Sequence, residues 1–361
     1  MLRDMTSLST LTTLRLGGPA RRIITCTSEE SLVHAIRDGD NCGEPLLLLG
    51  GGSNVVVADS GFDGTVVLVR TSGIVQHVAG DQIVLDVSAG ESWDGLVARC
   101  VETELAGIEC LSGIPGTVGA TPIQNVGAYG QEVSATIESV VVYDRWSHEV
   151  QILPAERCGF AYRWSCFKES SSRWVVLRVR YRLRREAVSA PIAYGELAGT
   201  LGLQMGDRAT LAEVRAAVLS LRRHKGMVTT PDDRDTWSAG SFFVNPVLDP
   251  AQFDHVRARV LEHLGPEARF PSFPQADGRA KTSAAWLIDH AGFARGQGDP
   301  HGIAISSKHI LALTNRGQGT TAELIALART IVRRVAEVFH VELQPEPQFV
   351  GVEWRATASL S

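Results

Sequence analysis

No stretch of this chain approaches the roughly 20 consecutive apolar residues that a helix needs to cross a bilayer, and the opening MLRDMTSLST lacks the apolar core of a secretory signal. A cytoplasmic protein with no membrane partner is therefore expected. The 35 lysines and arginines are scattered and outnumbered by 40 acidic residues, for a net charge of -5, which excludes the concentrated basic surface that extended nucleic-acid binding requires. Six cysteines (Cys26, Cys42, Cys100, Cys110, Cys158 and Cys166) form no CxxC, no spacing pairs them with the ten dispersed histidines, and no HExxH occurs. Free thiols are expected, with no metal site and no disulfide chemistry. Neither GxGxxG nor GxxxxGK[ST] is present, so a dinucleotide-binding Rossmann turn and a P-loop are both excluded. There is no internal repeat and no low-complexity tract.

What the chain does have is glycine in two runs. Residues 113–130 read GIPGTVGATPIQNVGAYG, almost without charge and too polar at Gln124 and Asn125 for an ordinary buried helix. Glycine lets main-chain N–H groups approach a ligand and adopt positive φ, while Pro115 and Pro122 stiffen the turns between. Such a run serves either as a ligand-contacting backbone or as a long glycine-rich surface loop. The second run is Gly50, Gly51, Gly52, Ser53 and Asn54, between the apolar strands expected over 46–49 and 55–58. No helix follows it. A pair of strand-flanked glycine loops can wrap a pyrophosphate with amide donors, although GGGSN read alone fits a tight turn equally well.

At 361 residues, 44% of them apolar, the chain has the length of about two or three domains and material for real cores. Its first half is strand-rich. Helices are expected over 28–37, opened by a capping box of Thr27 and Glu30, and over 93–105, closed by Gly107. Strands are expected over 65–70, 83–89, 139–144 and 174–183. In the last, Val175, Leu177, Val179, Tyr181 and Leu183 alternate with Val176, Arg178, Arg180 and Arg182, which places the arginines, and Val176 with them, on a solvated face.

The pattern changes near residue 200, where a domain boundary is expected. Thr210 and Glu213 cap a helix with Leu211, Val214, Val218 and Leu221 on one side, and Thr320 and Glu323 open a longer one carrying Leu324, Leu327, Ile331, Val335 and Val338. Strands are expected over 303–305, 310–313 and 349–354. The fold class is α+β.

Eight motifs follow one another along nearly the whole chain: TTLRLGGPA at 12–20, GGGSNVVV at 50–57, the glycine run at 113–130, CGFAYRWSCFK at 158–168, APIAYGEL at 190–197, SAGSFFVNP at 238–246, FPQADGRAKTSAAWLID at 273–289 and QPEPQFVG at 344–351. In order and spacing the set resembles the UDP-N-acetylenolpyruvoylglucosamine reductase (MurB) family. The resemblance implies a flavoenzyme of peptidoglycan precursor synthesis that uses NADPH to reduce the enolpyruvyl ether of UDP-N-acetylglucosamine, giving UDP-N-acetylmuramate. It implies non-covalent FAD in an N-terminal domain of the vanillyl-alcohol-oxidase type, in two subdomains over 1–71 and 72–204. A substrate domain over 205–345 and a return strand over 346–361 carrying a catalytic glutamate complete it, and a monomer is implied. By position the FAD is lined by Gly50, Gly51, Gly52, Ser53, Asn54, Gly113, Ile114, Pro115, Gly116, Gly119, Ala120, Pro122, Gln124, Asn125, Gly127, Ala128 and Tyr129, with 15–18 in support.

The resemblance also assigns the chemistry. Arg163 matches the arginine that holds the substrate carboxylate in two-point geometry and opposes the charge developing beside it. Ser241 matches the serine that delivers a proton to the enol carbon, and as a weak acid it needs a neighbour or relay. Glu346 matches the glutamate that completes the trio, and beside a substrate carboxylate it is expected to act protonated or through a shared proton unless Arg163 neutralises both.

Lys225 matches a lysine near nicotinamide cofactor and substrate, although the linker from it to Ser241 differs from the shorter family form, and a solvated lysine at a helix end is the alternative. Tyr194 matches a substrate-covering tyrosine found in one subgroup, and Tyr162 and Asn245 match substrate-side contacts. Core and turn roles explain Gln275, Asp277 and Trp286 equally well, and Val244 replaces a lysine, so no phosphate contact carries over there. One pocket serving both NADPH and substrate implies ping-pong kinetics with substrate inhibition. A flavoprotein oxidase of the same superfamily and a non-catalytic UDP-sugar or flavin binder are the competing readings.

Overall fold

The computed structural model describes residues 6–354. The outer ends of the first and last expected segments, 1–5 and 355–361, lie outside the described residues. The chain divides by its contacts into two compact units, one built from Ala20–Gly52 and Asp63–Val228, the other from Ser7–Pro19, Ser53–Phe62 and the chain from Thr229 onward. The helix Leu211–His224 thus belongs with the first unit, and the glycine turn at 50–54 is divided after Gly52.

In the first unit Ala20–Cys26, Phe62–Val69 and Leu46–Leu49 form a three-stranded sheet in that order, the last two parallel. The larger sheet is antiparallel and runs Glu149–Pro154, Ile137–Asp144, Trp174–Arg185, Gln82–Ser88, Ile74–Ala79. Period-two alternation buries Val175, Leu177, Val179, Tyr181 and Leu183 of its central strand against Trp93, Leu96 and Val97 of the helix Trp93–Glu102. Fully burying side chains of this size stabilises by roughly 1.5–3 kcal/mol each. The polar tips are satisfied: Trp93 Nε1 donates to Leu111 O at 3.1 Å, and the Tyr181 hydroxyl lies 2.8 Å from Thr121 Oγ1.

The second unit is organised on the helix Thr321–Phe339, whose Leu324, Ile331, Val335 and Phe339 are buried among Val256 and Val260 of Pro250–Leu264, Leu287 and Ile288 of Ala284–His290, and Phe242 and Phe243. Its first turn is tied to the strand Val55–Val57. Asp59 accepts from the amides of Thr321 and Ala322 at 2.7 and 2.9 Å, and Thr321 Oγ1 donates to Val57 O at 2.6 Å. The strand Gln348–Val350 pairs in parallel with Val55–Val57.

Several sequence expectations are corrected. The first long helix, Glu29–Asn41, is capped by Ser28 and Ser31 in reciprocal 3.1 Å bonds, one residue later than the Thr27 and Glu30 box. The helix Trp93–Glu102 stops short because Glu104 takes φ +56 and Leu105–Ala106 pairs with the central strand. The strand expected over 310–313 is Leu313–Asn315, and the last one stops at Val350, where Gly351 turns at φ +68. Val176 of the central strand is buried instead of solvated, while the arginines do lie on the wetter face and are also paired there: Arg178 and Arg180 with Asp86 at 3.5 and 2.9 Å, Arg182 with Glu138 at 2.5 Å. Neighbouring strands supply those carboxylates, which a strand read by itself does not show. The helix Pro250–Leu264 had its signal in the chain, an Asp249 and Gln252 capping box with proline at the first position.

Candidate active site

The first unit brings the two glycine runs together. An added Cβ on Gly51 would stand 2.6 Å from Gly116 Cα, and one on Gly50 2.5 Å from Thr117 Oγ1, so the loops meet backbone to backbone. Gly52, Gly113 and Gly116 take φ of +63, +72 and +120. Arg70 Nη1 pins the first loop by donating to Gly50 O at 3.0 Å. Among the described residues, the amides of Gly51, Ile114 and Gly116 donate to no protein acceptor, and all three residues are exposed or half-buried. Abutting loops with disengaged N–H groups are suited to an oxyanion such as a pyrophosphate. That arrangement fits a flavin dinucleotide.

Further along the run the chain turns to self-support. Gly119 N donates to Ala89 O at 2.8 Å, beside Ala120 in a short 3-10 turn ahead of Pro122. Asn125, buried at φ +45, donates to Glu132 at 2.8 Å and Ala161 O at 3.1 Å and accepts from Ser134 N at 3.1 Å. Its side chain thereby fixes the Arg163 loop. Gly127–Ala128 pairs with Gln131–Glu132, leaving Tyr129 at φ +49 in the turn.

Arg163 itself sits at φ +54, a conformation that costs a non-glycine residue energy and clusters at functional sites. Its Nη2 donates to Gly127 O at 2.8 Å, and its guanidinium lies 5.5 Å from the Tyr162 ring centre. Ala161 and Trp164 close the loop, and Lys168 Nζ donates to Arg163 O at 3.2 Å.

Lys225 ends the helix Leu211–His224 as its C-cap, with Nζ 2.6 Å from Glu196 Oε2 and 5.8 Å from the Tyr129 ring centre. Tyr129 meets Tyr194 edge to face at 5.4 Å. Lys225 and Tyr194, assigned separately from the sequence, thus share one cluster. Burial pushes the Tyr129 hydroxyl up to about 12, and burial and then Glu196 raise that of Tyr194, so both remain neutral phenols. Glu196 was not anticipated, though it stands two residues past Tyr194 in APIAYGEL. Next to the cluster, burial pushes the Asp94 carboxyl up, but the Arg215 fork and the Gly113 amide outweigh it and hold Asp94 below the usual carboxylate range.

In the second unit Ser241 and Glu346 lie on neighbouring segments. Glu346 N donates to Phe242 O at 2.8 Å, Val244 N to Gln344 O at 2.9 Å, and Phe243 bridges Pro345. Both side chains are half-buried. Asn54 Nδ2 donates to Glu346 O at 3.4 Å, and Gln348 N to Asn54 O at 3.0 Å, so the end of the glycine turn, with Ser53 before it, is laced to the glutamate segment. Asn245 Oδ1 accepts from Ala284 N at 3.0 Å at a helix N-terminus. Arg15, at φ +55, lies 5.9 Å from the Trp237 ring centre, and Gly18 has Asp59 O where a Cβ would be.

The unusual linker before Ser241 is anchored by a residue the sequence did not single out. Asp235 accepts from Ser306 Oγ, Ser307 N, Ser307 Oγ and Arg316 Nη2 at 2.7, 2.8, 2.6 and 2.9 Å. Burial alone would raise its carboxyl, yet those donors hold it lowered.

Residues 231–350 match the family described as UDP-N-acetylenolpyruvoylglucosamine reductase, C-terminal domain, and residues 20–145 match the FAD binding domain. The UDP-N-acetylenolpyruvoylglucosamine reductase of Streptomyces avermitilis is 54% identical over 347 residues, covering 96% of this chain and 94% of its own. That of Thermobifida fusca is 54% identical over 346 residues, covering 96% and 97%. The crystal structure of the reductase (MurB) from Thermus caldophilus matches with a TM-score of 0.63 at 25% identity, over 96% of this chain and 98% of that one. With identity at this level along nearly the full length of such relatives, the chain belongs to the UDP-N-acetylenolpyruvoylglucosamine reductase family.

Proposed function

We infer that this protein reduces UDP-N-acetylglucosamine enolpyruvate to UDP-N-acetylmuramate with NADPH, as an FAD-dependent enzyme of peptidoglycan precursor synthesis. The 54% identity over 96% of the chain carries the reading, and the abutting glycine loops with disengaged amides fit the cofactor it requires. Held by these loops, FAD would supply two-electron hydride chemistry between NADPH and the enolpyruvyl ether.

The chain's own residues do the rest. Gly50, Gly51, Gly52, Ser53 and Asn54, with the run from Gly113 to Tyr129, would hold the dinucleotide through backbone donors. Arg163 holds the substrate carboxylate and opposes the enolate charge that appears as the terminal carbon gains hydride. Ser241 gives its hydroxyl proton to the neighbouring carbon, completing the saturation, and Glu346 accompanies it on the adjoining segment. Lys225 and Tyr194 bind the nucleotide-sugar side, where a neutral phenol can donate and an ammonium can face phosphate. Tyr162 and Asn245 line the substrate. The reading further has a monomer working in the cytoplasm. No helix among the described residues is long and apolar enough to cross a membrane.

The test is spectroscopic. The purified protein should be yellow, bleach anaerobically with NADPH, and regain colour on addition of the enolpyruvyl substrate with one equivalent of lactyl ether formed. Recovery with O₂ but not with that substrate would establish an oxidase, and a colourless protein that cannot be reconstituted with FAD would end the flavoenzyme reading.

A further inference from the structure

Arg222, in the last turn of the helix Leu211–His224, is a cation with an incomplete set of partners. Its Nη2 donates to Met227 O at 2.8 Å, while its Nε is buried without a hydrogen-bond partner. That Nε stands 3.5 Å from the position a Cβ on Gly113 would take, so this edge of the guanidinium faces the first residue of the long glycine run.

The surrounding charges do not balance it. Asp94 accepts from Nη1 and Nη2 of Arg215 at 2.6 and 3.0 Å and also from Gly113 N at 2.6 Å. Glu196 is taken by Lys225. Tyr129, pushed up to about 12, brings no charge at neutral pH. Two carboxylates therefore face three cations, and one positive charge is left over at Arg222. Burial pushes its guanidinium down to about 10, against the pull of Tyr129 and Asp94, so it stays protonated in neutral solution. Arg222 is half-buried as a residue, but its Nε is shut off from water, and a guanidinium edge so placed is costly unless an anion meets it. Its neighbours in the run, Ile114 and Gly116, carry amides with no protein acceptor among the described residues.

We propose that Arg222 is an anion-binding residue of the glycine-run site, its guanidinium receiving a phosphate oxyanion of a bound nucleotide. The proposal rests on the flavoenzyme reading for the identity of that nucleotide, which is either the flavin dinucleotide or the UDP-sugar. A planar fork suits a phosphate better than an ammonium does, so lysine should replace it only in part.

The experiment titrates the full-length protein, freed of flavin, with FAD and with riboflavin by quenching of flavin fluorescence, and titrates the flavin-loaded protein with UDP by calorimetry. Wild type, Arg222→Met and Arg222→Lys are compared, with circular dichroism as the check on folding. Loss of one charge-assisted contact should weaken a phosphate-bearing ligand by about tenfold to a hundredfold in the methionine variant, less in the lysine variant, and leave riboflavin unchanged. Weaker FAD with unchanged UDP assigns the contact to the cofactor, and weaker UDP with unchanged FAD assigns it to the substrate. Unchanged affinity for both overturns the proposal, and so does equal weakening of FAD and riboflavin, which would mean a contact with the ring or support of the loop. If the methionine variant does not fold, the lysine variant is judged by the same criteria. Wild-type turnover of the enolpyruvyl substrate tests the flavoenzyme reading separately, so the two can fail independently.

Discussion

Ser241 and Glu346 stand one residue apart in register, on segments joined by the Glu346 N to Phe242 O bond. If Ser241 supplies the proton, Ser241→Ala should lower the steady-state rate by about 10² to 10⁴, the usual range for a positioned acid. Bleaching by NADPH should keep its wild-type rate. Anaerobic stopped-flow separates the two half-reactions, and a Ser241→Ala variant whose recovery with substrate is as fast as wild type would remove Ser241 from the chemistry. The φ of +54 at Arg163 and the side chain's bond to Gly127 O set the direction of a rigid fork. Arg163→Lys keeps the charge but loses two-point contact with a carboxylate, so kcat/KM for the enolpyruvyl substrate should fall by about ten to a hundredfold. The NADPH half-reaction serves as the internal control.

Between the residue and the molecule lie the loops and caps. Gly51→Ala would force a methyl into the backbone of Gly116, since its Cβ would lie 2.6 Å from that Cα. The two loops would part, and purified Gly51→Ala should retain much less flavin than wild type at equal protein concentration. The 450 nm band relative to protein absorbance measures it, and full flavin retention would show that the loops need not touch.

At this scale the sequence was most legible where the signal was local. The Thr210 and Glu213 box and the Thr320 and Glu323 box both form as reciprocal caps. The box placed at Thr27 slipped by one because Ser28 and Ser31 offered the same chemistry one position later. The helix Pro250–Leu264 is not among the expected elements despite its good cap, and the strand expected over 310–313 is Leu313–Asn315, the isolated apolar run giving no register.

Over the molecule, stability in acid depends on carboxylates held below their ordinary range. Arg173 hydrogen bonding lowers Asp144, and the donors around Asp94 and Asp235 outweigh burial to lower those two as well. A depressed carboxyl contributes stability that is complete above its unfolded value and is lost as pH falls through the folded one. The unfolding temperature should therefore change little between about pH 7 and pH 5 and drop below about pH 4, where unfolded aspartate takes up protons. Calorimetry across that range checks it, and an unchanged transition at pH 3 would contradict it.

The amino-acid order alone determined that two glycine loops, an arginine loop, a serine loop and a C-terminal glutamate exist, because each is a short motif whose backbone demands are met by its own residues. It also determined the α+β class, through periods of two and of about four. Which groups meet was decided only by the tertiary structure. Gly51 reaches Gly116, Lys225 reaches Glu196, and Asp235 reaches Ser306 and Arg316. These contacts join segments far apart in the chain, and no local pattern encodes them. They form because burying the flanking strands and helices brings those backbones together, and a buried charge must then find its partner.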